Sequence, residues 1–408
     1  MPTIKFYTLG CKTNQYDTQS IRERFLQAGF KEIFNGKNLD YYLVNTCTVT
    51  HKADRDCRRY ILRAHQESPK AKIIVTGCLT EKNQDLLSGL KINYIISKRF
   101  FPEGISNFSG HTRAFLKIQD GCDNFCSYCI VPFVRGRSRS RLLSEIVCEA
   151  KRLVENGFKE IVLTGICLGA YGRDLRPQIS LINVIKELEK INGLLRIRLS
   201  SIEAGDVTDE LIEKMSSSPK LCRHLHIPIQ SGDDEILRKM NRRYTQGDYL
   251  QLIKRLKKKI PQIAITTDVL VGFPGEKEEN FQNTVKLIKK ILPLKTHIFP
   301  YSPREGTAAM GFLGKIEPKI IKKRFESLSR IAKRCSLEYQ RRFLEKKMPV
   351  LIEERSKDNP SFWLGHTDNY LKVAVKKDMD LKNQLVSLRL KKIDKDCIIA
   401  ELGISKPK

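Results

Sequence analysis

The strongest constraint on this chain's fold is its repeated alternation of short apolar runs with stretches of helical periodicity. IKFYTLG (4–10), YYLVN (41–45), KIIVTG (72–77) and NYIIS (93–97) are separated in this way. In 17–28, Ile21, Phe25 and Ala28 share one helical face and Gly29 follows as a stop. The charged stretch 53–66 ends before Pro69. Strands that alternate with helices imply a parallel sheet. A second series begins near Arg113: FLKIQ (115–119), EIVLTG (160–165), RIRLSS (196–201), HLHIPI (224–229), AITTDVLVG (264–272) and THIFPY (296–301). Helical stretches such as 143–156, 181–191 and 249–259 lie between them, so six βα units predict a partial (β/α)6 barrel. A basic helix is expected over 315–347, with 12 Lys/Arg against 4 Asp/Glu. After Pro349 the texture changes to short strands and turns, which reads as a small β-barrel, OB-like in size.

The expected class is α/β, in three parts: an N-terminal parallel-sheet domain (1–110), a partial barrel (111–345) and a small β module (346–408). No run of about 18 apolar residues is present. The opening MPTIKFYTLGC has no secretory leader pattern, so a cytoplasmic protein without a membrane partner is expected. Basic residues exceed acidic ones by 74 to 46, a net charge of +28. That excess suits a polyanion such as nucleic acid, and equally a chain from a basic proteome. In such a compartment 12 cysteines argue for metal or redox chemistry rather than disulfides.

GCDNFCSYC places Cys122, Cys126 and Cys129 just after the first barrel strand, at the rim where such barrels bind ligands. Three thiolates on one loop suit an iron–sulfur cluster with one iron left open. A structural zinc site would want a fourth Cys or His nearby, and the nearest His, His111, is too far upstream. Cys11, Cys47 and Cys78 each end a separate strand of the first series, and such strand ends share one edge of a parallel sheet. They are therefore read as a second three-thiol site. Cys57, Cys148, Cys167, Cys222, Cys335 and Cys397 show no pattern and are expected to be small buried hydrophobes.

Near these sites, RGRSRSR carries Arg135, Arg137, Arg139 and Arg141 at alternate positions, so an extended segment would offer one basic face to phosphates. Glu203 and Gln230 follow barrel strands and could face the cavity, Glu203 equally as a solvated loop carboxylate. His224 and His226 alternate on one strand and point the same way, in the manner of hydrogen-bonded core histidines. Trp363 and Tyr370 could stack on bases or pack inside the small barrel.

CDNFCSYC matches the CxxxCxΦC motif of radical S-adenosylmethionine enzymes, with Tyr128 as the aromatic before the last cysteine. LGCKTNQYD, NTCTVT, VTGC, DGCDNFCSYCIVPFVRGRSRSR, LTGICLGAYG, HIPIQSGDDEIL, GFPGE and FPYSPREGT, in that order, resemble the methylthiotransferase family over nearly the whole chain. The resemblance implies two [4Fe-4S] clusters, an auxiliary one on Cys11, Cys47 and Cys78 and a second on Cys122, Cys126 and Cys129. There S-adenosylmethionine would chelate the open iron and be cleaved to a 5′-deoxyadenosyl radical. It further implies contacts to that cofactor from Tyr128, Glu203, Gln230, Gly272 and Gly275, and a C-terminal TRAM module. GCKTNQYD and RGRSRSR look most like the branch that methylthiolates carbon 2 of N6-threonylcarbamoyladenosine 37 in tRNA. Other branches act on isopentenyladenosine 37 or on an aspartate of a ribosomal protein. Implied partners are a tRNA anticodon stem-loop, an electron donor such as a flavodoxin or ferredoxin, and a sulfur donor. The non-enzymatic alternative is a zinc-containing RNA-binding protein.

Overall fold

A computed structural model describes residues 1–36, 39–82, 84–97 and 104–402, so 403–408 of the expected 346–408 module lie outside the described residues. In chain order the N-terminal elements are β1 (Thr3–Thr8), α1 (Lys12–Gln27), β2 (Lys31–Glu32), β3 (Tyr41–Thr46), α2 (His51–Glu67), β4 (Lys72–Gly77), α3 (Cys78–Lys82) and β5 (Tyr94–Ile95). They form one parallel sheet in the order β2-β1-β3-β4-β5. Tyr42, Val44, Ile73 and Val75 bury one face of this sheet, and Ile4, Leu43 and Ile74 the other. Burial on both faces explains why these strands read as continuous apolar runs.

The central elements are β6 (Arg113–Lys117), β7 (Gln119–Asp120), α4 (Val131–Arg135), β8 (Arg139–Ser140), α5 (Leu143–Glu155), β9 (Glu160–Thr164), α6 (Leu181–Glu189) and β10 (Arg196–Leu199). There follow α7 (Asp209–Ser217), β11 (His224–His226), α8 (Asp234–Lys239), α9 (Gln246–Lys259), β12 (Ala264–Val271), α10 (Glu278–Ile291), β13 (Lys295–Pro300) and α11 (Pro318–Arg341). β6, β9 and β10 pair in parallel, as do β11, β12 and β13. Parallel bridges Ile197↔Leu221 and Ser201↔His226 join the two halves. The result is the expected six-stranded partial barrel, with β6 and β13 as its free edges.

The last strands are β14 (Lys347–Arg355), β15 (Phe362–Thr367), β16 (Lys372–Lys376), β17 (Leu385–Asp394) and β18 (Cys397–Leu402), closed into a barrel. Trp363 is buried in its core. Tyr370 stacks between His224 and His366 at 4.5 and 4.9 Å, with the Arg198 guanidinium 4.9 Å from its ring. Both aromatics therefore pack, and base stacking is the reading that falls.

The small barrel is docked on the central one through charge. Arg196 donates to the carbonyls of Pro349 and His366 at 2.7 and 2.9 Å, and Arg198 to that of Asp368 at 2.9 Å. Glu160 is fully buried and pairs with Arg198 at 2.6 Å, with Arg196 at 3.6 Å and Arg113 at 3.8 Å beyond it. Its carboxyl is held down to about 2: burial opposes the charge, and the arginines overcome it. Glu160→Gln would leave buried arginines uncompensated. It is expected to cost about 3–5 kcal/mol in urea unfolding, and a loss below about 1 kcal/mol would contradict this role for Glu160.

Candidate functional site

Register builds the first thiol pocket. Thr8 pairs with Asn45 and Thr46 with Gly77, so the ends of β1, β3 and β4 lie side by side. Cys11, Cys47 and Cys78 follow these ends. The approach is close enough to demand glycine. A Cβ on Gly10 (φ +104°) would sit 2.9 Å from that of Cys47, and one on Gly77 (φ +106°) 2.3 Å from the Thr46 carbonyl oxygen. Asn14 ties the loops together by donating to the carbonyls of Leu9 and Thr46 at 2.7 and 2.9 Å. Burial pushes the Cys47 thiol up to about 12, and Cys78 and Cys11 add to the rise. The three sulfurs thus converge. Cys57 stands behind them, accepting from the Cys47 N–H and donating to its carbonyl, both at 3.3 Å.

The second pocket follows β7. Burial raises the Cys126 thiol, and it raises Cys129 to about 12, with the neighbouring cysteines contributing. Cys122 is lowered to about 7, chiefly because the Cys167 thiol hydrogen-bonds to it. Arg242 donates to the Cys126 sulfur at 3.3 Å and forms an ion pair with Glu203. Glu203 is raised by burial, against the pull of Arg242. Tyr128 leans on Phe273 of the GFPGE turn in a T-shaped contact at 6.5 Å. That turn is held by Gly272 N–H to the Glu276 carboxylate and Gly275 N–H to the Gly314 carbonyl, each 2.8 Å. Gln230, at φ +66°, is knitted by its backbone to Asp268 and Leu270.

The RGRSRSR segment is not one basic face. It runs out of α4 through Gly136 into β8, and its arginines have different environments. Arg135 is buried; it pairs with Asp120 at 2.7 Å and Asp17 at 3.1 Å and donates to Asn14. Burial works against its charge, but Asp120, Cys78 and Asp17 hold it well above the usual guanidinium range. Arg141 pairs with the buried Glu149 at 2.6 Å and donates to Tyr16 at 3.0 Å. Both are corrections to the expected phosphate-binding set, because their donors are spent on buried carboxylates. Arg137 and Arg139 are exposed, with Arg137 beside Asp123 at 3.0 Å.

The same contacts seat the N-terminal sheet across the barrel's gap. Asp17 on α1 meets Lys117 on β6 as well as Arg135. Beyond β13, Arg304 reaches Asp54 at 2.7 Å and Thr48 at 2.7 Å. The first thiol pocket is thereby fixed against both free edges. Inside the barrel His224 and His226 both bond the Thr266 hydroxyl, at 3.0 and 2.9 Å, as their shared direction predicts. Among the described residues, the one group of three possible ligands within 4.8 Å of one another is His226, Asp268 and His297. Neither cysteine triad is gathered that tightly, whereas thiolates on one tetrahedral zinc lie about 3.8 Å apart.

Of the six cysteines expected to be inert, Cys57, Cys222 and Cys335 are buried. Cys167 is buried as well but borders the second pocket, while Cys148 is exposed and Cys397 half-buried. Sequence reasoning also missed Arg242, Asn14, Asp17 and Asp120. Only Cys167 carried a signal, since it follows a parallel strand as Cys47 does. No helix among the described residues is long and apolar enough to cross a membrane.

Comparison with known proteins agrees with this geometry. Residues 116–288 match the model of the radical SAM superfamily, and 3–96 that of an uncharacterized protein family, UPF0004. The chain is 37% identical to a Bacillus subtilis protein named threonylcarbamoyladenosine tRNA methylthiotransferase MtaB, over 96% of this chain and 94% of that one. The chain belongs to the methylthiotransferase family. A protein named tRNA-2-methylthio-N(6)-dimethylallyladenosine synthase, from Acetivibrio thermocellus, is 33% identical over 94% of this chain and 87% of its own. A solved radical S-adenosylmethionine methyltransferase, TsrM of Kitasatospora setae, shares the fold with a TM-score of 0.53 at 15% identity, over 74% of this chain and 77% of that one. In this methylthiotransferase Arg135→Ala should leave Asp17 and Asp120 to share the one cation of Lys117 and cost about 3–5 kcal/mol in chemical denaturation. A variant as stable as the parent would show that the N-terminal domain is held by other contacts.

Proposed function

We propose that this chain is a tRNA methylthiotransferase that places a methylthio group on carbon 2 of N6-threonylcarbamoyladenosine 37. The observation that carries the reading is the convergence of two separate three-thiol pockets, one on the N-terminal sheet and one on the barrel that it covers. Each pocket suits an anionic cluster. The Arg135 guanidinium and the Cys78 thiol both donate to the Asn14 amide oxygen, the thiol at 3.9 Å, and Cys126 receives a hydrogen bond from Arg242. The thiols of buried Cys47 and half-buried Cys129, both near 12, stay protonated at neutral pH until a metal displaces the proton. A [4Fe-4S] cluster at each site, with S-adenosylmethionine at the barrel one, would supply the radical and the sulfur transfer.

The chain's own residues supply position and shielding. Arg242 orients Glu203 and Cys126 at the barrel rim, and Phe273 backs Tyr128 against water. Cofactor contacts are assigned to Tyr128, Glu203, Gln230, Gly272 and Gly275. Arg137 and Arg139, with the basic helix α11 and the small barrel, would meet the phosphates of the anticodon stem-loop. The reading places the protein in the cytoplasm, where tRNA, a flavodoxin- or ferredoxin-type electron donor and a sulfur donor would be its partners.

Nucleoside analysis of tRNA from a deletion strain tests the substrate: the 2-methylthio derivative should vanish and return on complementation. Its persistence unchanged would remove the assignment. Within the purified enzyme, Cys126→Ala should abolish S-adenosylmethionine cleavage, whereas Cys47→Ala should keep cleavage and lose thiolation; thiolation by Cys47→Ala would take the N-terminal pocket out of the reaction. Arg137→Gln and Arg139→Gln should each lower the dependence of log affinity on log salt by about 0.7–0.9 in tRNA binding. An unchanged slope in both would place the phosphates elsewhere.

A further inference from the structure

Three neighbouring strands of the barrel bring together a ligand set that contains no cysteine. Register pairs His226 on β11 with Thr266 on β12, and Asp268 on β12 with His297 on β13. Residues two apart on a strand share a face, so His226, Asp268 and His297 point the same way. Leu225, Ile265 and Val269, on the other face, join the apolar core with Leu252 and Leu256 of α9 and Ile288 of α10. The group therefore looks into the barrel, away from its helices. Its three side chains are half-buried, and their ligand atoms lie within 4.8 Å of one another.

The hydrogen bonds within the group leave one member unmet. His226 Nδ1 bonds the Thr266 hydroxyl at 2.9 Å, and its Nε2 meets an Asp268 carboxylate oxygen at 3.2 Å. Among the described residues the His297 ring makes no hydrogen bond; it contacts the rings of His226 and Phe299, at 5.9 and 6.5 Å between centroids. Burial holds that ring below the ordinary histidine range against the pull of Asp268, and Lys295 adds to the fall, so a nitrogen lone pair is open at neutral pH. A proton between His226 and Asp268 satisfies those two groups and leaves His297 out. A metal ion satisfies all three. Bonds of about 2.1 Å to one ion put its ligand atoms about 3.0–3.4 Å apart, and the His226–Asp268 pair already stands at that spacing. The contact to Thr266 is of the kind that aims a metal-binding imidazole.

We propose that His226 Nε2, an Asp268 carboxylate oxygen and a ring nitrogen of His297 form a metal site separate from the two thiol pockets. It takes a first-row divalent cation such as manganese, iron or zinc, the ions that two imidazoles and a carboxylate suit. Three protein ligands leave positions open for water or an oxygen of a bound substrate. A groove of about 730 Å³ along β13 has His297 in its wall and gives the ion a way in. The inference goes beyond the proposed tRNA reaction and does not depend on which adenosine is the substrate.

The test uses the full-length, cluster-loaded enzyme, whose thiols are occupied by iron, with manganese(II) alone as the probe ion. Manganese(II) prefers nitrogen and oxygen ligands to thiolates, and its EPR signal reports what binds it. Equilibrium dialysis should show a single saturable manganese per chain, and pulsed EPR should show nitrogen couplings from imidazole. Thr266→Val should weaken binding by on the order of 10-fold, through the lost support of His226. His226→Gln and His297→Ala should each weaken it further and each remove one imidazole coupling. His297→Ala is the deciding variant, because its position on the free edge of β13 spares the core, and its iron content should equal that of the parent. Absence of saturable binding would overturn the site. So would a bound ion without nitrogen coupling, or His297→Ala binding manganese as tightly as the parent. Loss of iron from His297→Ala would also overturn it, since His297 would then hold the fold rather than an ion.

Discussion

The buried guanidinium of Arg135 is the contact on which the rest of this molecule depends. It leaves the barrel at the end of α4, six residues after Cys129, and enters the N-terminal sheet domain. There it meets Asp17 and Asn14 while still bound to Asp120 of its own barrel. Asn14 is also the residue that binds the loops of β1 and β3 together. One side chain thus connects the loop that carries one thiol triad to the loops that carry the other. A buried charge shared in this way fixes geometry more than it adds stability, since desolvation consumes much of the Coulomb gain. On the proposed reading, in which both pockets serve one substrate, fixed geometry is the more useful property.

The N-terminal sheet uses a common property of parallel sheets for an uncommon purpose. Strand ends on one edge normally present loops to a ligand. Here three of them present one cysteine each, brought together by register and by glycines that allow backbone contact. The partial barrel leaves a gap between β6 and β13, and the sheet domain lies across it, anchored by Lys117 and Arg135 on one side and Arg304 on the other. The small β-barrel adds a further wall through Tyr370. The interior carries polar side chains such as His226, Asp268 and His297 and is reached from several elements, as an RNA base turned out of its stack would require.

Much of this was legible in the sequence because the rules involved are local or topological. The alternation of strand and helix predicts the two parallel sheets, and the strand ends predict where six cysteines go. NYIIS shrank to the pair Tyr94–Ile95, and the 315–347 helix to Pro318–Arg341. The four arginines of RGRSRSR show where such reading stops. Their spacing is identical, but Arg135 is buried against Asp17, 118 residues away, and half-buried Arg141 is held by Glu149 and by Tyr16, 125 residues away. A partner that distant leaves no mark on the local pattern. Arg242 and Glu203 are separated in the same way, by 39 residues, and only the carboxylate, placed after a barrel strand, carries a local signal. Cys167 is within reach of such reading, because it follows a strand end as Cys11, Cys47 and Cys78 do.

The central claim is that two independent thiol triads each hold a four-iron cluster. Iron and sulfide analysis with Mössbauer spectroscopy on anaerobically prepared protein measures it directly, for the parent chain and for two triple variants, Cys11→Ala/Cys47→Ala/Cys78→Ala and Cys122→Ala/Cys126→Ala/Cys129→Ala. The account predicts about eight irons in the parent and about four, all in a [4Fe-4S] form, in each variant. About four irons in the parent, or zinc in either pocket, would contradict it.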